Sequence, residues 1–210
     1  MLAFSSASYW EARYSGGGTS GAGSYGQLAR FKAAFVNGFT HLNAVGSVLD
    51  LGCGDGNQLG LLDLPRYTGV DVSPSSLAQC RATFGSRPHH SFVHADDLGG
   101  VPRHELALSL DVIYHLVEDA VFQAYLDTLF TKATRFVVTY SSNVEAEWSS
   151  VHVRHRRFTD AAARRHPAWR LAAHVPNLFP FRADAPNQTS FADFFVFAAP
   201  GEGCVVPCPG

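Results

Sequence analysis

The chain has 210 residues, 46% of them hydrophobic and 12% aromatic, which argues against a disordered protein and fits one domain with a full core. A formal net charge of -2 gives no bulk attraction to nucleic acid or to an anionic membrane. No stretch approaches the ~20 apolar residues of a membrane span, and the first residues lack the pattern of a signal peptide. The dispersed cysteines favour a reduced, cytoplasmic protein; they are Cys53, Cys80, Cys204 and Cys208.

The first 46 residues predict two helices joined by a glycine-rich loop. Residues 5–15 read as a short helix with an aromatic face, and residues 15–26 contain six glycines, too many for a helix or a strand. This loop is either a flexible linker or a mobile lid over a pocket. Its position inside one small domain favours the lid. The second helix has a buried stripe of Leu28, Phe31, Phe35 and Phe39, with Arg30, Lys32 and Asn37 off that stripe.

From residue 47 onward, strands alternate with helices, which predicts a doubly wound α/β domain with a parallel sheet. The predicted strands are 47–51, 67–72, 91–94, 105–111 and 135–140. The predicted helices are 57–62, then 73–84 with Ser73 as cap and Pro74 in its first turn, and a later helix. That later helix has the buried stripe Val121, Phe122, Tyr125, Leu126, Leu129 and Phe130.

The last third predicts a different arrangement. A helix over 158–166 is expected to start at Thr159, and strands over 169–175 and 191–198 are expected to form an antiparallel hairpin at one sheet edge. The Pro/Gly-rich residues 200–210 are expected to be a flexible tail outside the core. One domain is therefore predicted over 1–200, with N-terminal helices and lid over 1–46 and the core over 47–199.

The most informative segment is VLDLGCGDGN, residues 48–57, an apolar strand that ends on an acid and continues into alternating glycines. Asp71 closes a second apolar run 21 residues after Asp50. Glycines let backbone approach a ligand closely, and the later acid can accept hydrogen bonds from a ribose diol. The pattern predicts a nucleotide-type pocket at the carboxyl edge of the sheet. The glycine spacing fits NAD poorly, because Asn57 stands where the third glycine of that motif belongs.

At these motifs the sequence resembles the class I S-adenosylmethionine-dependent methyltransferases, over about residues 9–198. The segments that carry the resemblance are VLDLGCGDG at 48–56, YTGVDVS at 67–73, HADDL at 94–98 and LSLDVIYHL at 108–116. Within that superfamily it is similar to small bacterial members that begin Tyr-Trp-x-x-Arg-Tyr before a glycine-rich segment. The resemblance implies a Rossmann-like, mostly parallel seven-stranded sheet with a reversed C-terminal strand. It also implies S-adenosylmethionine as cofactor and S-adenosylhomocysteine as product.

The resemblance implies a set of cofactor-binding residues. Gly52 and Gly54 pass close to the methionine part, Asp50 orients the amino group, and Asp71 accepts from the ribose hydroxyls. Others are expected around the two ends of the cofactor; they are Asn57, Val72 on the adenine face, Asp96 or its neighbour Asp97 at the adenine amino group, and Leu110 in the methyl-transfer cleft. Arg13 either binds the cofactor carboxylate or forms a surface ion pair.

Catalysis by this family rests mainly on placing a nucleophile in line with the methyl group. His115 is the best candidate for a general base, since its unperturbed pKa is near 6.5, and a structural histidine is the alternative. A base of that pKa predicts a rate that rises with pH through one ionisation near neutrality. Asp111 and Tyr114, at the same strand end, are the reserve candidates.

The acceptor is expected to be an oxygen or nitrogen nucleophile of a small molecule, and the protein a monomer or homodimer. The alternative is a peptide or protein acceptor, for which the basic cluster at 154–157 is the one hint; a solvated surface is its plainer interpretation. Asn-Pro-Pro-Tyr is absent after the fourth strand, which disfavours methylation of a base amino group. No His or Cys spacing suits a metal, and Cys204 with Cys208 is read as part of the tail.

Overall fold

The computed structural model describes residues 4–207. Within that range the chain forms five α-helices and seven strands, joined by turns and short 3-10 segments. In chain order these are α1 Ser6–Ser15, α2 Gly26–Leu42, β1 Val48–Leu51, β2 Tyr67–Asp71, α3 Pro74–Phe84, β3 His90–His94, β4 His104–Leu110, α4 Asp119–Lys132, β5 Ala133–Ser141, α5 Phe158–Arg165, β6 Arg170–Val175 and β7 Asp193–Ala198.

The strands form one sheet in the order β3-β2-β1-β4-β5-β7-β6. The first five strands pair in parallel, and β7 runs antiparallel to both β5 and β6. The predicted Rossmann-like sheet with a reversed last strand is therefore confirmed. The strand order reverses between β1 and β4, which is where open α/β sheets form a ligand crevice.

The core lies on both faces of this sheet, because successive side chains of a strand point to opposite faces. In β1, Val48 belongs to the hydrophobic cluster that includes Phe39 of α2, whereas Leu49 belongs to the cluster that includes Leu126 of α4. All four residues of β1 are buried. Continuous apolar strands of this kind are typical of parallel sheets covered by helices on both faces.

The structure confirms the predicted start of α3 and contradicts the helix predicted after β1. The Ser73 hydroxyl accepts a hydrogen bond from the Ser76 amide at 3.1 Å, which confirms the cap of α3 with Pro74 in its first turn. The predicted helix 57–62 is wrong: only a 3-10 turn, Leu59–Leu61, forms there. Gly60 lies inside this short stretch, and glycine in a helix interior disfavours a longer helix.

Two expectations for later helices also need correction. Val121 is 44% exposed and does not belong to the buried stripe of α4, which consists of Phe122, Leu126, Leu129 and Phe130. The helix α5 begins at Phe158 without a side-chain cap, and the Thr159 hydroxyl bonds instead with the side chain of Asn143 at 2.8 Å.

The C-terminal segment lies against the domain as far as residue 207. Asn43, just after α2, donates to the Val205 carbonyl oxygen and accepts from the Val205 amide, both at 2.8 Å. Cys204 and Val206 pack against the core, so the expectation that this segment lies outside the core is wrong for these residues. Cys208 lies outside the described residues. No helix within 4–207 is both long and apolar enough to cross a membrane.

Candidate active site

A cavity of about 460 Å³ opens at the carboxyl ends of β1, β2 and β4. It adjoins the position where the strand order reverses. The structure brings most of the residues predicted from sequence to its wall, namely Asp50, Gly52, Gly54, Asp71, Val72, Asp96, Leu110, Asp111 and His115. Helix α1 forms another part of the wall through Ser6, Trp10 and Tyr14, which sequence reasoning did not place there.

The glycine loop after β1 follows a path that needs glycine. Gly52 and Gly54 have φ angles of +85° and +57°, a region that disfavours other residues. A Cβ atom at Gly52 would lie 2.4 Å from Cγ2 of Val112. The loop therefore brings its bare backbone to the floor of the cavity.

Asp71, at the end of β2, fixes this loop. Its Oδ2 accepts from the Gly54 amide and its Oδ1 accepts from the Ser73 amide, both at 2.9 Å. Burial raises the pKa of the Asp71 carboxyl, and the amides of Ser73 and Gly54 act in the opposite direction. Each carboxylate oxygen has a second lone pair, so Asp71 retains acceptor capacity on the cavity wall.

Asp50, at the end of β1, is a buried carboxyl with an unused acceptor. Its Oδ2 accepts from the Tyr67 hydroxyl at 2.8 Å, while its Oδ1 is buried and has no hydrogen-bond partner within residues 4–207. Burial raises the pKa of Asp50 to about 6, against the lowering effects of the Tyr67 hydrogen bond and the charge of Lys32. A buried acceptor without a donor suits a cationic group of a ligand.

The opposite end of the cavity is more open. Val72 is 39% exposed, and the Asp96 side chain is 90% exposed at the wall. Asp97, the alternative to Asp96, does not line the cavity. The ring of His94 links the ends of β2 and β3. Its Nδ1 accepts from the Asp96 amide at 3.3 Å, and its Nε2 lies 3.0 Å from the Val72 carbonyl oxygen.

Arg13 and Asn57 lie beside the glycine-rich segment and not on the cavity wall. The Arg13 Nε donates to the Thr19 carbonyl oxygen at 2.6 Å, and the Asn57 Nδ2 donates to the Ser24 carbonyl oxygen at 2.5 Å. Both side chains thus hold the backbone of residues 15–26. Their contacts to a cofactor stay predictions.

The glycine-rich segment 15–26 lies over the cavity. The Ser20 amide donates to Oδ2 of Asp55 at 2.8 Å, and the Ser20 hydroxyl accepts from the Asp55 amide at 3.1 Å. The Tyr14 hydroxyl is 2.9 Å from the Ser20 hydroxyl. At Gly23, a Cβ atom would lie only 2.7 Å from Oδ2 of Asp111. This segment therefore contacts the loop after β1 and the end of β4.

Helix α1 is tied across the cavity at its start and near its middle. Near its start, the Ser6 amide donates to Oε1 of Glu118 at 2.8 Å. Further along, Glu11 accepts hydrogen bonds from the hydroxyls of Ser73 and Ser75, both at 2.6 Å. Sequence reasoning missed these ties because the partners lie more than 60 residues apart in the chain and each is an ordinary polar residue.

Asp111, just after β4, forms a buried ion pair with Lys32 of α2. Lys32 lies off the apolar stripe predicted for α2, yet its side chain is fully buried. Asp111 Oδ1 also accepts from the Tyr114 hydroxyl at 2.8 Å, and Asp111 has a φ of +62°. Because Asp111 would have to give up its ion pair with Lys32 to take a proton, it is a poor candidate for a general base. Tyr114 does not line the cavity, and burial raises the pKa of its hydroxyl.

His115 lines the cavity with a defined ring orientation. Its Nδ1 lies 2.9 Å from the carbonyl oxygen of His152, and since a carbonyl only accepts, Nδ1 carries the proton. Its Nε2 has no hydrogen-bond partner in the described part of the chain, so it is an available acceptor. Burial lowers the pKa of His115 to about 4. This environment therefore does not support the ionisation near neutrality that the sequence predicted for His115.

Within residues 4–207, no three His, Cys, Asp or Glu side chains come together in a group that could hold a metal ion.

Residues 48–137 match the family described as a methyltransferase domain. Over these residues, fewer than half of the chain, it resembles the class I S-adenosylmethionine-dependent methyltransferases, the family that its sequence motifs indicate. This match spans β1 to β5 up to Val137, the part of the sheet that builds the cavity. The cofactor of this methyltransferase is S-adenosylmethionine, as the resemblance implied. The residues present fit it, because the glycine loop, the two strand-end acids and the unpartnered Oδ1 of Asp50 meet at one cavity.

Known proteins resemble this methyltransferase to different extents. A trans-aconitate 2-methyltransferase from Enterobacter sp. (strain 638) is 42% identical over 77 residues, which are 35% of this chain and 28% of that relative. The N-methyltransferase NodS from Bradyrhizobium japonicum WM9, in complex with S-adenosylhomocysteine, superposes with a TM-score of 0.69 at 16% identity, covering 94% of this chain and 99% of NodS. The methyltransferase domain of bacterial CtHen1-C gives a TM-score of 0.63 at 21% identity, covering 83% and 100%. At these identities the likeness of the structures shows the fold.

Proposed function

We propose that this protein transfers a methyl group from S-adenosylmethionine to an oxygen or nitrogen of a small molecule. The observation that carries the proposal is the cavity at the ends of β1, β2 and β4, with α1 tied across it. The whole of residues 1–200 acts as one domain, in which 1–46 cover the site and 47–199 form the core. The formal net charge of -2 supports an acceptor other than nucleic acid.

The proposed cofactor contacts use the groups left free inside the protein. Asp50 Oδ1, which lacks a donor, would accept from the amino group of the methionine part, and the spare lone pairs of Asp71 would accept from the ribose hydroxyls. Val72 would pack on the adenine, with Asp96 at its amino group. The cofactor, when bound, supplies an electrophilic methyl group on a sulfonium.

On the acceptor side, this chain would mainly position a nucleophile and shield it from water. Leu110 and His115 both line the cavity and would contact the acceptor. The Nε2 of His115, opposite the protonated Nδ1, is available to take a proton or a hydrogen bond from a hydroxyl or amine. Asp111 would act by holding Tyr114 and Lys32 in place, since it is paired with the ammonium of Lys32 and accepts from the Tyr114 hydroxyl.

A small acceptor is favoured over a peptide by the cover above the cavity. Helix α1 is hydrogen-bonded at its start to Glu118 and near its middle to Ser73, and the segment 15–26 closes part of the remaining opening. A peptide chain would need a continuous open groove, so the alternative of a peptide or protein acceptor requires that this cover move aside. A cytoplasmic location and a monomeric or dimeric state stay predictions.

The deciding experiment is a mass-spectrometric screen of metabolite and peptide pools. With S-adenosylmethionine and the protein, one class of acceptor should gain a CH2 unit in mass, and S-adenosylhomocysteine should form in equal amount. An Asp71→Ala variant serves as the negative control, and Asp63→Ala, at an exposed acid away from the cavity, as the matched positive control. Gain only in the peptide pool would favour the alternative acceptor, and binding of the cofactor without gain in any pool would contradict the proposal.

A further inference from the structure

A second cleft, of about 280 Å³, lies between the start of α4, the helix α5 and the loop that precedes α5. Its lining contains four arginines and two acids, Arg154, Arg156, Arg164, Arg165, Asp119 and Glu145. The lining therefore has an excess of two positive charges in a chain whose formal net charge is -2. This basic cleft contains Arg154 and Arg156 of the 154–157 cluster, neither of which lines the proposed methyl-transfer cavity.

Arg156 is the buried, preorganised member of the basic cleft. It is 9% exposed, and its guanidinium carbon lies 4.6 Å from the centre of the Phe122 ring. Its Nη atoms donate to the carbonyl oxygens of Leu116 and Val117 at 2.6 and 2.7 Å and to Oδ1 of Asp119 at 3.0 Å. Its Nε is buried and has no hydrogen-bond partner within residues 4–207. A rigid guanidinium with an unused N–H is suited to an oxyanion.

The other arginines are only partly neutralised. Asp119 is shared between Arg154 and Arg156, both at 3.0 Å, so one carboxylate faces two cations. Arg165 is paired with Asp127, which lies outside the cleft lining and offsets one positive charge. For Arg164, residues 4–207 offer no carboxylate within ion-pair distance. The exposed Arg164 thus has no ion pair within residues 4–207, while the exposed Arg154 donates to the Val117 carbonyl oxygen and shares Asp119 with Arg156.

We propose that the basic cleft binds an oxyanion, a phosphate or carboxylate group of a small molecule. Arg154 and Arg164 supply the mobile contacts and Arg156 supplies the fixed positive charge. The basic cleft and the methyl-transfer cavity share one segment, because Glu118 lines the cavity while Asp119 lines the cleft. The oxyanion therefore belongs either to the methyl acceptor, whose acidic end reaches this cleft, or to a separate small anion.

The test uses the full-length protein and inorganic phosphate. Phosphate near ten times its dissociation constant should raise Tm by roughly 3 °C above sodium chloride of equal ionic strength. The double variant Arg154→Gln, Arg164→Gln should lose this shift. Arg182→Gln, at an exposed arginine that pairs with Asp184 away from the cleft, should keep it. No phosphate-specific shift in the wild type, or an equal shift in the double variant, would overturn the proposal.

A second arm separates the two sources of the oxyanion, using the acceptor found by the mass-spectrometric screen. If the oxyanion belongs to the acceptor, the double variant should raise the acceptor KM about tenfold, with kcat and cofactor affinity unchanged. If KM is unchanged while phosphate binding is lost, the cleft serves a separate anion. The phosphate arm needs no methyl transfer, so failure of the proposed function and failure of this site are distinguishable.

Discussion

The ammonium group of Lys32 meets the carboxylate of Asp111 where α2 passes behind the end of β4. The lysine is fully buried and the aspartate side chain is 11% exposed, so neither charge is well solvated. Asp111 also has an unfavourable positive φ and carries the Tyr114 hydroxyl on its other oxygen. The pair fixes the backbone turn that presents Val112 and His115 to the cavity.

Removing one partner should therefore be costly. Lys32→Met should lower the free energy of unfolding by about 3 kcal/mol, because it leaves a buried carboxylate without its cation. The double variant Lys32→Met, Asp111→Asn should recover part of that loss, since asparagine tolerates the positive φ and carries no charge. Urea denaturation of the three proteins measures this. Additive losses in the double variant would show that the two side chains do not stabilise each other.

Cofactor binding provides a second prediction. Asp71→Ala should weaken binding of S-adenosylmethionine and S-adenosylhomocysteine by roughly tenfold or more, corresponding to about 1–3 kcal/mol from lost hydrogen bonds. NAD should not bind to either protein. Isothermal titration calorimetry is the measurement, with Asp63→Ala as the matched control. An Asp71→Ala protein that folds and binds with wild-type affinity would remove the proposed ribose contact.

The fold and the cofactor side of the site could be predicted because they depend on local sequence patterns. The strand, the glycines and Asp71 lie within 24 residues, and their spacing alone brings them to one sheet edge. Lys32 could not be assigned in this way. Its burial depends on Asp111, 79 residues away, and a lysine on an amphipathic helix normally faces solvent. The low pKa of His115 likewise comes from packing that no sequence motif encodes.

The lid hypothesis makes a prediction about Gly23. The segment 15–26 should show slower amide hydrogen exchange when cofactor and acceptor are added, as expected of a lid. Gly23→Ala should raise the acceptor KM several-fold, because its Cβ would lie 2.7 Å from Asp111 Oδ2 and push the segment outward. Gly203→Ala, which meets nothing within 4 Å, is the matched control. Equal protection of the segment with and without ligands would identify it as a linker.

The raised pKa of Asp50 predicts that cofactor affinity depends on pH. Burial places this pKa at about 6, so the carboxylate that would pair with a cationic amino group becomes protonated as pH falls below that value. Affinity for S-adenosylhomocysteine should therefore decrease between pH 7.5 and 5. An Asp50→Asn variant should bind more weakly and lose most of this dependence. The contribution of Asp50 to the free energy of unfolding has the opposite trend. Because its pKa in the folded protein lies above the unfolded value of about 3.9, Asp50 stabilises the fold at low pH, and this stabilisation is lost as pH rises through 6.

The last prediction concerns His115. If its neutral Nε2 takes the acceptor proton, His115→Ala should lower kcat by roughly a hundredfold or more with cofactor affinity nearly unchanged. Because burial lowers the His115 pKa to about 4, the ring is already neutral at pH 6, and its ionisation should reduce the rate only as pH falls toward 4. Between pH 6 and 8, this residue should therefore add no step to the pH–rate profile. His174→Ala, at an exposed histidine paired with Asp193, is the matched control and should retain the wild-type rate. Near-normal turnover of His115→Ala would show that placement alone drives the reaction. If the wild-type pH–rate profile has a step near neutrality that this variant loses, the buried ring has a higher pKa than its surroundings indicate.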